Sequence, residues 1–143
     1  MELTSAATAG LRAKKPSQRV LKQRRFAAAL GLLLTEGLAE LRRTYPSAHF
    51  RMGEGYVGDT GRRAMNRLKV TFKEATAHRP DGGHWKRLAQ DLVLDIDDSV
   101  VESSEHPAWA ILDEFWRRQD MDARTGIEFE DANHFSFVDG GII

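Results

Sequence analysis

Cysteine is absent from the chain, which removes disulfides, thiolate zinc sites and cysteine nucleophiles together. Any metal would have to be held by His, Asp or Glu. Net charge is absent as well: 21 Lys and Arg balance 21 Asp and Glu, so the surface as a whole is not built for nucleic acid or anionic lipid. Long apolar runs are also missing. FAAALGLLL (26–34) follows basic residues as in a secretory signal, but it is short, Glu36 closes it, and no small-residue cleavage site follows. A spanning helix needs about 20 apolar residues, so neither export by a signal nor stable membrane insertion is expected. No G-x-S-x-G, Walker or dinucleotide glycine pattern occurs, which leaves serine hydrolase and nucleotide-binding readings without support.

The 143 residues suffice for one domain with a core. Residues 1–17 are small, polar and basic, and read as a flexible basic tail; the domain is expected over 18–143. Over 18–43, Val20, Leu21, Phe26, Ala27, Leu30, Leu33, Leu34, Leu38 and Leu41 recur at helical spacing until Tyr45-Pro46, with Gly31 and Gly37 as weak points. A short extended segment is expected over 50–57, a helix over 60–72 and a loop over 73–83. Residues 87–95 alternate as a strand, with Leu88, Leu92 and Leu94 on one face and Ala89, Asp91, Val93 and Asp95 on the other. A helix over 103–119, capped by Ser104 with Pro107 in its first turn, turns Trp109, Leu112, Phe115 and Trp116 inward. Residues 133–138 alternate again, Phe135 and Phe137 opposite His134 and Ser136. Helices and antiparallel strands without a βαβ rhythm make the class α+β.

Charge is unevenly spread. Residues 12–25 carry seven basic side chains and no acid, which reads as a solvated tail and helix start or as an attraction to anionic cell-wall polymers. Asp95 to Asp98 (DIDD) lacks the glycine and glutamate of a calcium loop and reads as a solvated strand end. His49, His78 and His106 read as exposed turn or loop residues.

The stretch GGHWKRLAQDLVLDI sets His84 and Asp91 seven positions apart. On a helix both would share a face about 10.5 Å apart, and on a regular strand they would face opposite ways. One ion could bind both only if the chain folds back near Gly82-Gly83 before a strand starting near Arg87. His134, opposite Phe135 and Phe137 and expected to face a cleft, offers a third ligand. Two imidazoles and one carboxylate suit Zn²⁺ with a position open for water. Asp131, in the turn entering the last strand, is spaced to move a proton. The plainer alternative stays open, with His84 a solvated loop histidine and Asp91 a strand-edge acid.

Two motifs carry a resemblance. HWKRLAQDLVL, from His84, resembles the S-x-H-x-x-x-x-A-x-D-L signature of the zinc D-Ala-D-Ala carboxypeptidase and L-alanyl-D-glutamate endopeptidase family, in the form of its phage endolysin-like branch. DANHFSF, from Asp131, resembles that branch's closing D-G-N-H-F-S, and Met52-Gly53-Glu54 resembles the G-E stretch preceding the first ligand. Trp116 lies on the helix that usually carries an aromatic between the motifs. The resemblance covers 18–143. It implies one Zn²⁺ held by His84, Asp91 and His134, with Asp131 as general base and acid. It further implies a small hedgehog/DD-peptidase-like α+β domain whose antiparallel sheet, flanked by helices, carries the zinc. The implied substrate is a peptidoglycan stem peptide.

Two departures stand out. Gly82 replaces a frequent serine, and Tyr56, Val57 and Gly58 occupy the place of an arginine thought to stabilise charge on the substrate carbonyl. Arg62, Arg63 or Arg87 is expected to substitute, with Glu54 as a further substrate contact. The expected protein is a monomeric hydrolase, a phage endolysin held in the host cytoplasm until release to the cell wall or periplasm, or carried on a virion. The alternative is a catalytically impaired relative serving as a structural or cell-wall-binding module of a phage particle.

Overall fold

The computed structural model describes residues 15–53 and 86–143. Ser17 opens the first helix, its Oγ accepting the Val20 N–H at 3.2 Å. Helix α1 (Gln18–Leu32) runs through a π-helical turn (Leu33–Gly37) into α2 (Leu38–Arg42). The single helix expected over 18–43 is thus one rod with a widened turn next to a predicted weak point. Gly37 explains part of it: a Cβ there would come within 3.0 Å of Leu33 Cδ1 and of the Phe115 ring. Thr35 Oγ1 also donates back to the Gly31 carbonyl at 2.8 Å, a bond that bends helices.

The strands are β1 (His49–Met52), β2 (Ala89–Ile96), β3 (Ser99–Val100), β4 (Ala123–Gly126) and β5 (Asp131–Phe137); helix α3 (Pro107–Arg117) lies between β3 and β4, and a 3-10 turn (Ile127–Phe129) precedes β5. All pairings are antiparallel in the order β1-β2-β5-β4, with β3 folded back on the end of β2. Asp97 and Asp98, with φ of 52° and 61°, make the two-residue β2–β3 turn. Positive φ at both positions matches the right-handed twist of the strands.

The α+β expectation stands, with local corrections. The strand expected over 87–95 begins at Ala89, because Arg87 has a φ of 59°. The last strand starts two residues earlier than expected, so Asp131 belongs to it. Ser104 does not cap α3. His106 does, its Nδ1 accepting the Ala108 N–H at 3.1 Å, while Ser104 Oγ accepts the Ala132 N–H at 3.1 Å. The remainder of the extended segment over 50–57, the helix over 60–72 and the loop over 73–83 lie outside the described residues, as does His78.

One face of the sheet packs on the helices. Leu88, Leu92, Leu94, Phe135 and Phe137 are fully buried there with Leu33, Leu112 and Trp116. The Trp116 ring meets Phe26 and Phe135 edge-on at 5.8 Å, and its Nε1–H is shared between the carbonyls of Arg124 (2.9 Å) and Ser136 (3.1 Å). Burying a large aromatic and satisfying its one donor against two strands fixes β4 and β5 to the helix. The two ends of the described chain also meet. Arg19, Lys22 and Lys86 converge on Asp139, and Arg25 pairs with Asp120 and Asp122. In the helical half of the basic segment Arg19, Lys22 and Arg25 thus pair with the domain's own acids, while Arg19, Arg24 and Arg25 stay exposed at the surface. Among the described residues no helix is long and apolar enough to cross a membrane.

Candidate active site

The other face of the sheet is polar, and its register brings the candidate residues together. Asp91 on β2 lies directly opposite His134 on β5. Directly opposed residues of an antiparallel pair share a face, so the carboxylate and the imidazole meet, His134 Nδ1 lying 3.0 Å from Asp91 Oδ1. His134 is 4% exposed and Asp91 half-buried. Two donors bound to one Zn²⁺ at about 2.0–2.1 Å lie roughly 3.3 Å apart, so this separation suits both a His–Asp hydrogen bond and a pair of ligands. Carboxylate and neutral imidazole are also the donor types the ion takes.

Two glycines keep the acids where they are. Gly53 donates its N–H to the Asp91 carbonyl at 2.9 Å, and a Cβ on it would come 2.9 Å from that oxygen and 3.2 Å from Asp91 Cβ. The backbone at Gly53 thus rests on Asp91. Gly126 stands opposite Asp131, and a Cβ there would come 2.4 Å from the Asp131 carbonyl oxygen. The β4–β5 register shifts at this point, and Glu130 just before Asp131 has a φ of 58°. Such an irregularity re-aims a side chain at a strand's start. Asp131 lines a cleft of about 420 Å³ with Asn133, Ser104, Trp109 and Leu92, where β2 and β5 part.

No family model and no curated protein matches the chain. Among solved structures it is similar to the Serratia marcescens L-Ala D-Glu endopeptidase ChiX. The two are 21% identical over 73% of this chain and 80% of that chain, with a TM-score of 0.47. At that level neither fold nor chemistry transfers, and the functional reading rests on this chain's own residues.

Of the residues the sequence singled out, the structure joins Asp91 with His134 and sets Asp131 on the same strand as His134. His84, Glu54, Arg62 and Arg63 lie outside the described residues. Among the described residues no group of three His, Asp or Glu is arranged to hold a metal. Asp131 and Asn133 line the cleft of about 420 Å³, and His134 is buried. Arg87 sits exposed in the turn before β2.

Two expectations about charge are corrected. Asp95 is no solvated strand end: it is 6% exposed and accepts Arg51 Nε at 2.6 Å and Arg51 Nη2 at 3.0 Å, with His49 Nε2 at 3.2 Å. These Arg51 hydrogen bonds hold its carboxyl below the usual carboxylate range against the opposing effect of burial, and His49 adds to the lowering. His49 is accordingly a strand residue, and His106 a helix cap whose ring lies 5.3 Å from that of Tyr45. Sequence reasoning missed Arg51 and Gly126. The alternation in HFRM, with His49 and Arg51 on one face, was the signal for the first, whereas nothing local marks Gly126 as the seat of Asp131.

Proposed function

We propose that the chain is a zinc-dependent peptidase hydrolysing an amide bond in peptidoglycan stem peptides, at L-Ala–D-Glu or D-Ala–D-Ala. The supporting observation is the approach of Asp91 and His134 to 3.0 Å from neighbouring strands, residues that stand in two separate motifs resembling the same peptidase family. Asp91 and His134 would hold the metal, and His84 completes the set the resemblance implies. Zn²⁺ bound there would acidify a water and polarise the substrate carbonyl. Asp131 takes the proton of the water that attacks the amide carbon. As the C–N bond breaks, it returns that proton to the departing amine. Gly53 and Gly126 fix the backbones of Asp91 and Asp131 so that neither acid has to be ordered during the reaction. The chain acts as a monomer in the manner of an endolysin, released from the host cytoplasm to the wall or carried on a particle.

The test is digestion of a defined muropeptide followed by mass spectrometry of the products. One new amine at one of the two bonds, lost with a chelator and restored by Zn²⁺, is expected. Stoichiometric zinc without any cleavage would instead favour a wall-binding or structural module, the reading motivated by Tyr56, Val57 and Gly58 standing where the family carries its arginine.

A further inference from the structure

The first two turns of α1 lie against the domain without burying a residue. From Gln18 to Arg25 none is buried, and the apolar side chains among them, Val20 and Leu21, are 37% and 39% exposed; the first buried residue of the helix is Phe26. Polar contacts hold this stretch instead. Arg19 meets Asp139 at 3.2 Å, Lys22 meets Asp139 at 3.2 Å and donates to the Val138 carbonyl at 2.6 Å, and Arg25 meets Asp120 at 2.7 Å and Asp122 at 3.3 Å. Gln23 Nε2 donates to the Lys86 carbonyl at 2.9 Å, and Lys86 Nζ meets Asp139 at 2.7 Å. These contacts close over the end of the β2–β5 ladder, where the Leu88 carbonyl accepts the Phe137 N–H.

Left to itself, this sequence is a poor helix start. A helix N-terminus carries positive partial charge and favours acids, yet the first turn of α1 has none. Arg19, Lys22 and Arg25 follow one another at spacings of three, which sets like charges side by side on the helix surface. Asp120 and Asp122, between α3 and β4, and Asp139, after β5, stand in for the acids the helix lacks.

We propose that residues 18–25 form a salt-operated latch, helical while docked on Asp120, Asp122 and Asp139 and melting as a unit, ahead of the rest of the domain, when those pairs are screened. The receiving surface sets three aspartates against Lys86 and is net negative, whereas the latch carries Arg19, Lys22, Arg24 and Arg25 and no acid, so added salt weakens docking. The Debye length falls from about 10 Å in 0.1 M salt to about 3 Å in 1 M, and exposed pairs feel that change most. The Arg19 and Arg25 side chains are 45% and 47% exposed. Once undocked, two turns are too short to stay helical on their own. Phe26 and Ala29 keep the remainder of α1 in place, and the uncovered end of the β2–β5 ladder frays with the latch.

The experiment is amide hydrogen exchange of the full chain in low salt and in 1 M NaCl, for the wild type, Asp139→Asn, Asp139→Glu and the Asp120→Asn/Asp122→Asn pair. In 1 M NaCl the wild-type amides of Leu21 to Arg25, with those of Val138 and Asp139, should exchange about 10-fold faster or more, while those of α3 keep their low-salt rates. Asp139→Asn and the double variant should exchange fast over Leu21 to Arg25 already in low salt and respond little to more. Asp139→Glu should restore both the protection and the salt response. Wild-type amides of Leu21 to Arg25 that stay protected in 1 M NaCl, or that speed up only together with α3, would overturn the proposal. So would slow exchange in low salt for both Asn-bearing variants, since it would show the stretch helical without its aspartates.

Discussion

The two faces of one sheet do different work. Toward the helices, Leu88, Leu92, Leu94, Phe135 and Phe137 are fully buried against Trp116. On the reverse, β2 and β5, with β1 beside β2, set Asp91, His134, Asp95, Arg51 and His49 on one face, each charge answered by a neighbour. Strand pleating alone separates the two sets, since successive residues point opposite ways. The lesson is that the packed face holds the fold and the polar face is free to carry chemistry. Substitutions should sort accordingly.

The largest expected effect belongs to Asp131, at the start of β5. Asp131→Ala should lower turnover by about 10²- to 10⁴-fold and keep bound zinc, with stability changed by less than about 1 kcal/mol in urea denaturation. A fully active variant would remove Asp131 from its assigned role. Next is the packed face, where Trp116→Ala should cost about 3–5 kcal/mol of stability, from lost packing and from two carbonyls left without their donor. Gly126→Ala lies on the boundary between the faces. Its new Cβ must push the Asp131 backbone aside, so about 1–3 kcal/mol of stability should be lost together with turnover, and zinc content should stay constant.

The smallest effect is the pH dependence of the clasp between the ends of the described chain. Lys86 first, and Lys22 with it, hold the Asp139 carboxyl below its usual range. A lowered folded pKa stabilises the protein above the ordinary carboxylate range, and the contribution fades as pH falls through the lowered value. Acid titration of stability should therefore show Asp139→Asn less stable than the wild type by about 1 kcal/mol at neutral pH, with the two curves converging as pH falls below the ordinary carboxylate range. Curves that stay parallel would show that the clasp contributes nothing through charge.

Much of this division was legible in the sequence. Period-two alternation around Asp91 and His134 named both strands and both faces, and helical spacing named Trp109, Leu112, Phe115 and Trp116 as inward. What was not legible depends on distant partners. Ser104 looks like a cap, but its hydroxyl takes the Ala132 N–H and leaves the task to His106. Asp95 looks solvated within DIDD until β1 lays Arg51 and His49 against it. The opposition of Gly126 to Asp131 arises only from a register shift between β4 and β5. Local pattern names elements and faces, whereas tertiary contact decides which polar group serves which neighbour.

The central claim is that Asp91 and His134 approach each other as ligands of one ion. Zinc content of the purified protein, measured by elemental analysis for the wild type, Asp91→Ala and His134→Ala, tests it most directly. One Zn²⁺ per wild-type chain, lost in both variants while each stays folded, is the predicted result. A wild-type protein that takes up no zinc at saturating metal, or variants that keep theirs, would contradict the account.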